Sequence, residues 1–218
     1  MPLVVFDLDH TLIRCDSFAG FNRQLLARAW WRIALALAAS PVVAVLALSR
    51  RTLRSAGSLL VWCGTVGTEE SELHALMDAH VLERFHEGGE LVCRGAVAAL
   101  RAHQAEGARL VIATGSVGPF AERVCARIGL AGVEVVGSEL EPFLGGWVAR
   151  RHCYGPEKVL MLRERGIGER WDVAYTDSAT DLALLERASR RCLVNATSRA
   201  ERRVQRQLGE AFESIAWQ

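Results

Sequence analysis

The sequence predicts an α/β fold: an open parallel sheet whose first strand is followed by a helical, strongly apolar insertion. Three observations carry that expectation. Apolar runs near residues 3–7, 109–114, 133–139, 171–177 and 190–195 alternate with helical stretches, the pattern of parallel strands joined by right-handed crossovers. Residues 15–88 separate the first run from the helix leading into the second, far more chain than a crossover needs. Within that segment residues 33–48 carry no charge, and their apolar side chains surround the helix rather than marking one face. The expected division is a core of residues 1–14 and 89–218, with a cap at 15–88 standing over it.

At 218 residues the chain can form one sizeable α/β unit and needs no disulfides to hold its core. Its six cysteines are scattered and none forms a Cys-x-x-Cys pair, which argues against zinc and for reduced thiols in a cytosolic compartment. The 26 basic and 25 acidic residues give a net charge of +1, so nothing global points to a nucleic-acid partner. The first core strand begins almost at once, leaving no room for a cleavable signal peptide.

The first strand runs into Val5-Phe6-Asp7-Leu8-Asp9-His10-Thr11-Leu12. Side chains alternate along a strand, so Asp7 and Asp9 are expected on one side where it stops, sharing the pocket in which open α/β sheets hold ligands. An Asx turn capping the next helix is the plain structural alternative. The second strand closes on Leu110-Val-Ile-Ala-Thr-Gly-Ser116. Thr114 is expected to end it, with Gly115 and Ser116 opening the next helix as an anion-facing turn or as an ordinary N-cap. Residues 144–150 read as a short hairpin arm with Gly145-Gly146 as its turn. Gly155-Pro-Glu-Lys158 then starts a helix with an ammonium in its first turn, where the dipole disfavours a cation. An anionic partner would explain that lysine, and a solvated surface position is its alternative. The next strand ends in Val173-Ala-Tyr-Thr-Asp-Ser-Ala-Thr-Asp181. Here Asp177 reads as a metal ligand supported by Ser178 and Asp181, although Asp181 also reads as a first-turn helix acid. Residues 199–206 read as a solvated helix face.

This ordered set resembles the haloacid dehalogenase (HAD) phosphatase superfamily, whose four motifs match Asp7-x-Asp9-x-Thr11, Thr114, Lys158 and Asp177-x-x-x-Asp181. The resemblance implies a Rossmann-like parallel-sheet core, Mg2+ as cofactor and hydrolysis of a phosphate monoester. Asp7 is then the nucleophile that becomes aspartyl-phosphate, and Asp9 the general acid and base. Lys158, the Thr114 hydroxyl and the Gly115 backbone would hold the phosphoryl oxygens. Asp7, Asp177 and the Asp9 main-chain carbonyl are the implied metal ligands, with Asp181 orienting Lys158 or metal-bound water. His10 departs from the pattern, since many members carry Gly there; that side chain has no catalytic part in the family.

The apolar segment, about residues 29–49, includes an uncharged run shorter than the ~20 residues a spanning helix needs. Both of its ends must return to one core, so a membrane-dipping element is expected rather than a single crossing. Pro41 is expected to break or kink the run into a re-entrant or interfacial helical pair. Arg23, Arg28 and Arg32 before it and Arg50, Arg51 and Arg54 after it suit anionic headgroups, with Trp30 and Trp31 at the interface. A buried cap helix or a dimer interface is the alternative.

With this insertion the chain resembles, over nearly its whole length, the phosphatidylglycerophosphatase C type of HAD phosphatase. The carrying residues are the apolar run, Ser58-Leu-Leu-Val-Trp-Cys-Gly-Thr-Val-Gly67 and Gly145-Gly-Trp-Val-Ala-Arg-Arg-His-Cys-Tyr-Gly-Pro-Glu-Lys158. The resemblance implies conversion of phosphatidylglycerophosphate to phosphatidylglycerol at the cytoplasmic face of a bacterial inner membrane, with a phospholipid substrate and the membrane surface as partners. Arg151, His152 or Arg54 could bind the diester phosphate of such a substrate, and no spacing selects among them. The rivals are a cytoplasmic phosphomonoesterase resembling phosphoserine phosphatase, and a membrane-bound scaffold without catalysis. The intact acids argue against the scaffold, because buried like charges disfavour one another.

Overall fold

The computed structural model describes residues 1–49, 52–209 and 211–217. Arg50 and Arg51, expected at the membrane face, lie outside the described residues. Among those described, the strands are β1 (Leu3–Phe6), β2 (Arg109–Val117), β3 (Glu134–Phe143), β4 (Gly146–Arg151), β5 (Trp171–Thr176), β6 (Ala188–Val194) and β7 (Glu213–Ile215). They form one sheet in the order β4-β3-β2-β1-β5-β6-β7, parallel except where β4 runs back along β3. The α/β expectation holds.

β1 is the centre of the sheet. Val4, Val5 and Phe6 are all buried, as a parallel strand covered on both faces requires. Val5 pairs with Val111 of β2 on one side and Ala174 of β5 on the other, so the carboxyl ends of these three strands stand side by side. One face of the sheet packs a cluster with Phe6, Ile112, Leu100 and Phe120, and the other a cluster with Val5, Val111, Leu162 and Trp171. Helices α5 (Arg94–Ala105) and α6 (Gly118–Arg127) belong to the first face, while α7 (Pro156–Glu164), α8 (Leu182–Leu185) and α9 (Ser198–Leu208) belong to the second.

Between β1 and α5 the chain makes α1 (Ser17–Ala27), α2 (Trp30–Ala47), α3 (Leu53–Thr65) and α4 (Glu70–Arg84). This insertion leaves and returns at one point: Arg14 N donates to Leu91 O at 2.8 Å and Cys93 N to Leu12 O at 2.9 Å. It is glued to the core by aromatic packing, since Phe21 of α1 stacks on Phe120 of α6 with ring centroids 5.1 Å apart. His80 of α4 packs against the same rings and pairs with Gln24. Burial, with help from Arg84, holds the His80 imidazole below its ordinary pKa of 6.5. The folded state therefore takes up a proton there less readily than the unfolded chain, so stability is lost as pH falls below about 6.5. The thermal midpoint of His80→Phe is accordingly expected to drop less between pH 7 and pH 5 than that of the wild type. Equal drops would remove His80 from the acid response.

α2 corrects two expectations. It runs unbroken through Pro41, because the Leu37 carbonyl that loses its N–H partner to the proline instead accepts the Ser40 hydroxyl at 2.7 Å. The helical pair exists, but its turn lies between α2 and α3. Thr52 Oγ1 donates to Leu46 O at one end of the pair. At the other, Arg32 donates to Gly64 O at 2.7 Å and Val66 O at 3.0 Å, so the two helices are antiparallel. Arg32 is also the one described residue of α2 that is buried, and it ties the helix root to Thr68 Oγ1 at 2.9 Å as well. The rest of α2 is not a buried cap helix: Trp30, Leu37 and Val45 are 67–80% exposed. Among the described residues it is the one helix long and apolar enough, by length and composition, to cross a membrane.

The hairpin arm is also shifted by one residue. Leu144 and Gly145 form its turn, both with positive φ (44° and 73°), which matches the mirror-image turn that joins twisted strands. Gly146 opens β4 instead, where the Trp62 ring passes 2.8 Å from the place a Cβ would occupy. The indole of Trp62 donates to Phe143 O and Gly67 N to Gly145 O, seating the arm on the end of α3.

Candidate active site

A cavity of about 420 Å³ lies at the carboxyl ends of β1, β2 and β5, with α1, α3 and β4 forming its far wall. Asp7, Asp9, Gly115, Lys158, Asp177, Ser178 and Asp181 all line it. Thr114 does not. It is fully buried, and its hydroxyl accepts Ser116 N at 3.1 Å and stands 3.5 Å from Asp9 Oδ2. The reason is that β2 stays extended to Val117 and α6 starts only at Gly118, so Gly115 and Ser116 are strand residues and not the opening of a helix. Ser116, rather than Thr114, carries the hydroxyl that lines the cavity.

Asp7 follows the last residue of β1 and continues its ladder, donating its N–H to Tyr175 O at 2.8 Å. Its Oδ1 accepts the Leu8 N–H at 2.9 Å and the Lys158 ammonium at 2.8 Å. Burial pushes its carboxyl up, to about 8; Lys158 pulls against this, while Asp181 and Asp9 push further. Strand alternation is not what brings Asp9 alongside, because β1 has ended at Phe6. A tight turn does so, with Leu12 N donating to Leu8 O at 2.9 Å and His10 in the left-handed region at φ 58°. Glycine adopts that conformation freely, whereas histidine holds it at some cost.

Asp9 is gripped from the insertion and from β2. Oδ1 accepts Ser17 N at 2.8 Å, Oδ2 accepts Ser116 Oγ at 2.9 Å, and the two serine hydroxyls are 2.8 Å apart. Burial raises the pKa of Asp9 against these hydrogen bonds. Sequence reasoning missed Ser17, and no local signal could have revealed it, since its hydroxyl partner is 99 residues away. It also missed Ser138 of β3, which donates to Gly115 O of β2 at 2.7 Å and accepts Cys153 N at 3.0 Å, bracing β2 and the segment after β4 together.

Lys158 is in the first turn of α7, after Gly155 at φ 59°. It is 2% exposed and bridges two acids, reaching Asp7 Oδ1 at 2.8 Å and Asp181 Oδ2 at 2.6 Å. Burial alone would lower its pKa, but Asp181 and Asp7 outweigh it and hold the ammonium charged. Asp181 thus orients Lys158. Its Oδ2 also accepts Thr176 Oγ1 at 3.0 Å, while Oδ1 is buried without a hydrogen-bond partner among the described residues. Asp177 N donates to Thr11 Oγ1 at 3.1 Å, tying the first and last motifs together, and burial raises the Asp177 carboxyl. Ser178 caps the short 3₁₀ turn Ala179–Asp181, accepting Thr180 N at 3.2 Å.

No three Asp, Glu, His or Cys side chains converge as a ready-made metal cage among the described residues. The donor set nevertheless fits Mg2+, which takes one or two carboxylates and completes its shell with water and phosphate oxygens. Asp7 and Asp177 are two such carboxylates in one cavity, both made hard to ionise by burial, and a divalent cation relieves that. Of the three candidates for a second anion, Arg151 is occupied by Glu157 at 2.6 Å and by Glu164 and does not line the cavity. Arg54 and His152 do line it, and the His152 ring stacks on Tyr154 with centroids 5.4 Å apart. Burial, Arg54 and Lys158 all depress the His152 pKa.

Comparison with known proteins agrees with this architecture. The chain is 32% identical over 189 residues to Protein CicA of Caulobacter vibrioides, covering 84% of this chain and 81% of that protein. A protein with unknown function from Bordetella pertussis Tohama I superposes with a TM-score of 0.72 at 20% identity, over 98% of this chain and 97% of its own. A phosphoserine phosphohydrolase-like protein from Francisella tularensis gives a TM-score of 0.62 at 15% identity, over 97% and 94%. The family profile of haloacid dehalogenase-like hydrolases matches residues 4–186, which contain every motif of the cavity, and the chain belongs to that family.

Proposed function

We propose that this hydrolase is a Mg2+-dependent phosphatase that acts on an amphiphilic phosphate monoester through an aspartyl-phosphate. The observation that carries the chemistry is the buried ammonium of Lys158 held between Asp7 and Asp181. It places one fixed positive charge beside a carboxylate at the end of the central strand, where a phosphoryl group needs both a nucleophile and charge neutralisation. The Asp7 carboxylate oxygen forms the bond to phosphorus as the bond to the alcohol oxygen breaks. Asp9, whose pKa is raised and whose orientation Ser17 and Ser116 fix, gives its proton to the departing alkoxide. It then takes a proton from the water that attacks the aspartyl-phosphate, releasing inorganic phosphate and restoring Asp7. Lys158, with the backbone around Gly115, holds the phosphoryl oxygens throughout. Asp7, Asp177 and the Asp9 main-chain carbonyl would hold Mg2+, which would supply further charge neutralisation when bound.

The insertion acts as the cap that selects the substrate. Support for an amphiphile is the exposed apolar α2, packed along the α3 that lines the cavity. Such a helix suits a membrane surface, with Trp30 and Trp31 at the headgroup layer and the cavity facing the lipid. Phosphatidylglycerophosphate at the cytoplasmic face of a bacterial inner membrane is the substrate that the sequence resemblance supports. A second reading, a cytoplasmic phosphomonoesterase acting on a small polar ester, is favoured by Asp16 and Arg54, which put one charge of each sign into the cavity from the insertion. Phosphate release from phosphatidylglycerophosphate in mixed micelles, measured beside phosphoserine, separates the two. A preference of about a hundredfold in kcat/KM, roughly 2.7 kcal/mol of transition-state discrimination, is expected for the lipid. Equal or better turnover of phosphoserine would sink the lipid reading.

A further inference from the structure

Two glycines sit inside α3, and only one of them is explained by packing. A Cβ on Gly64 would fall 2.5 Å from Asn22 Oδ1, so that position has no room for a side chain. Gly57 is different. Nothing lies within 4 Å of the place its Cβ would occupy, and its φ is not in the left-handed region. A glycine in a helix interior destabilises by about 1 kcal/mol relative to alanine. Here neither crowding nor backbone conformation requires it.

The position of Gly57 supplies a reason. Arg54, Gly57, Ser58 and Val61 follow the i, i+3, i+4, i+7 spacing of one helix stripe, and all four line the cavity that holds Asp7. Gly57 is exposed toward this cavity, which Phe18, Leu60, Leu140 and Ala149 also line, together with the charged Asp16 and Arg54. The Ser58 hydroxyl is already engaged, accepting Ala149 N at 2.9 Å. The apolar side chains of this cavity, in the same space as Asp7, suit the hydrocarbon part of a substrate.

We propose that Gly57 is a specificity-determining position: by lacking a side chain it keeps open an apolar passage along α3 for the aliphatic portion of the alcohol esterified to phosphate. This rests on the phosphatase reading above and deepens it, because it names where the apolar part of the substrate lies. The occupant is the substrate's own chain, since Gly57 lines the same cavity as Asp7, Asp9 and Lys158.

The test compares wild type, Gly57→Ala and Gly57→Leu as full chains with Mg2+, on a series from ethyl phosphate to dodecyl phosphate kept below micelle-forming concentrations. Wild-type kcat/KM is expected to rise along the series. Gly57→Leu is expected to lose tenfold or more on dodecyl phosphate while changing ethyl phosphate by less than twofold, with Gly57→Ala between them. Neither thermal midpoint should fall, because both replacements favour the helix, so a selective loss is not misfolding. If Gly57→Leu leaves the wild-type chain-length gain intact, or slows both esters equally, the passage is overturned while the amphiphile reading survives. If the wild type cleaves ethyl phosphate with no gain along the series, the amphiphile reading and the passage both fail. If it cleaves neither ester, the phosphatase reading fails first.

Discussion

Replacing Asp7 by Asn is expected to lower kcat by at least about 10⁴-fold without unfolding the protein, the scale seen when an enzyme loses the nucleophile of a covalent mechanism. The amide keeps the size of the side chain and can still accept the Leu8 N–H, but it is not a nucleophile toward phosphorus and cannot form aspartyl-phosphate. The fold survives because Lys158 keeps its second partner, Asp181, at 2.6 Å. The pH dependence of stability adds an independent readout. The folded-state pKa of Asp7 is raised by burial to about 8 from 3.8, so its contribution to stability is full below about pH 4 and is lost as pH rises through about 8. In metal-free protein, Asp7→Asn should flatten that part of the stability profile. Steady-state phosphate release, intact-mass detection of the trapped phosphoenzyme and thermal unfolding across pH measure the three effects. A variant that retains more than about 1% of wild-type kcat would show that another group attacks phosphorus.

Lys158→Met is expected to be the most destabilising replacement in the cavity. Removing the ammonium leaves Asp7 and Asp181, 7% and 1% exposed, facing each other without compensation. Breaking a buried pair from one side typically costs about 3–5 kcal/mol, and in a chain of this size each kcal/mol shifts the thermal midpoint by about 2–4 °C. Activity should fall with stability, because the phosphoryl oxygens lose their fixed charge. The double variant Lys158→Met/Asp181→Asn separates the two effects, since it removes the stranded charge as well. Much of the lost midpoint should return while phosphatase activity stays absent. A double variant no more stable than the single one would show that the pairing geometry, not the charge balance, holds this corner of the fold.

The sheet was legible because its strands are apolar runs ending in polar turns, and the central ones are buried on both faces. β7 was not, since Glu213, Ser214 and Ile215 form too short and too polar a run to announce a strand, and only pairing with β6 makes one. Pro41 misled for a local reason: the proline rule counts a lost hydrogen bond, and Ser40 replaces it. In the site, the acids and Lys158 were visible by their order along the chain. Ser17, Ser138 and Thr176 were invisible because their work is done through partners that only the folded chain brings near. Thr114 was visible but misplaced, because Gly115 and Ser116, read from pattern alone as the start of a helix, are extended backbone.

The central position of β1 has a kinetic consequence. Val5 must pair with Val111 and Ala174, each more than a hundred residues further along the chain. The central strand is therefore synthesised long before either of its neighbours, and closing those long loops costs entropy before any ladder bond repays it. Until β2 and β5 emerge, Val4, Val5 and Phe6 and the apolar surface of α2 are exposed together on a growing chain. Closure around the first strand is therefore expected late in synthesis, and the nascent chain is the state expected to be most exposed to aggregation.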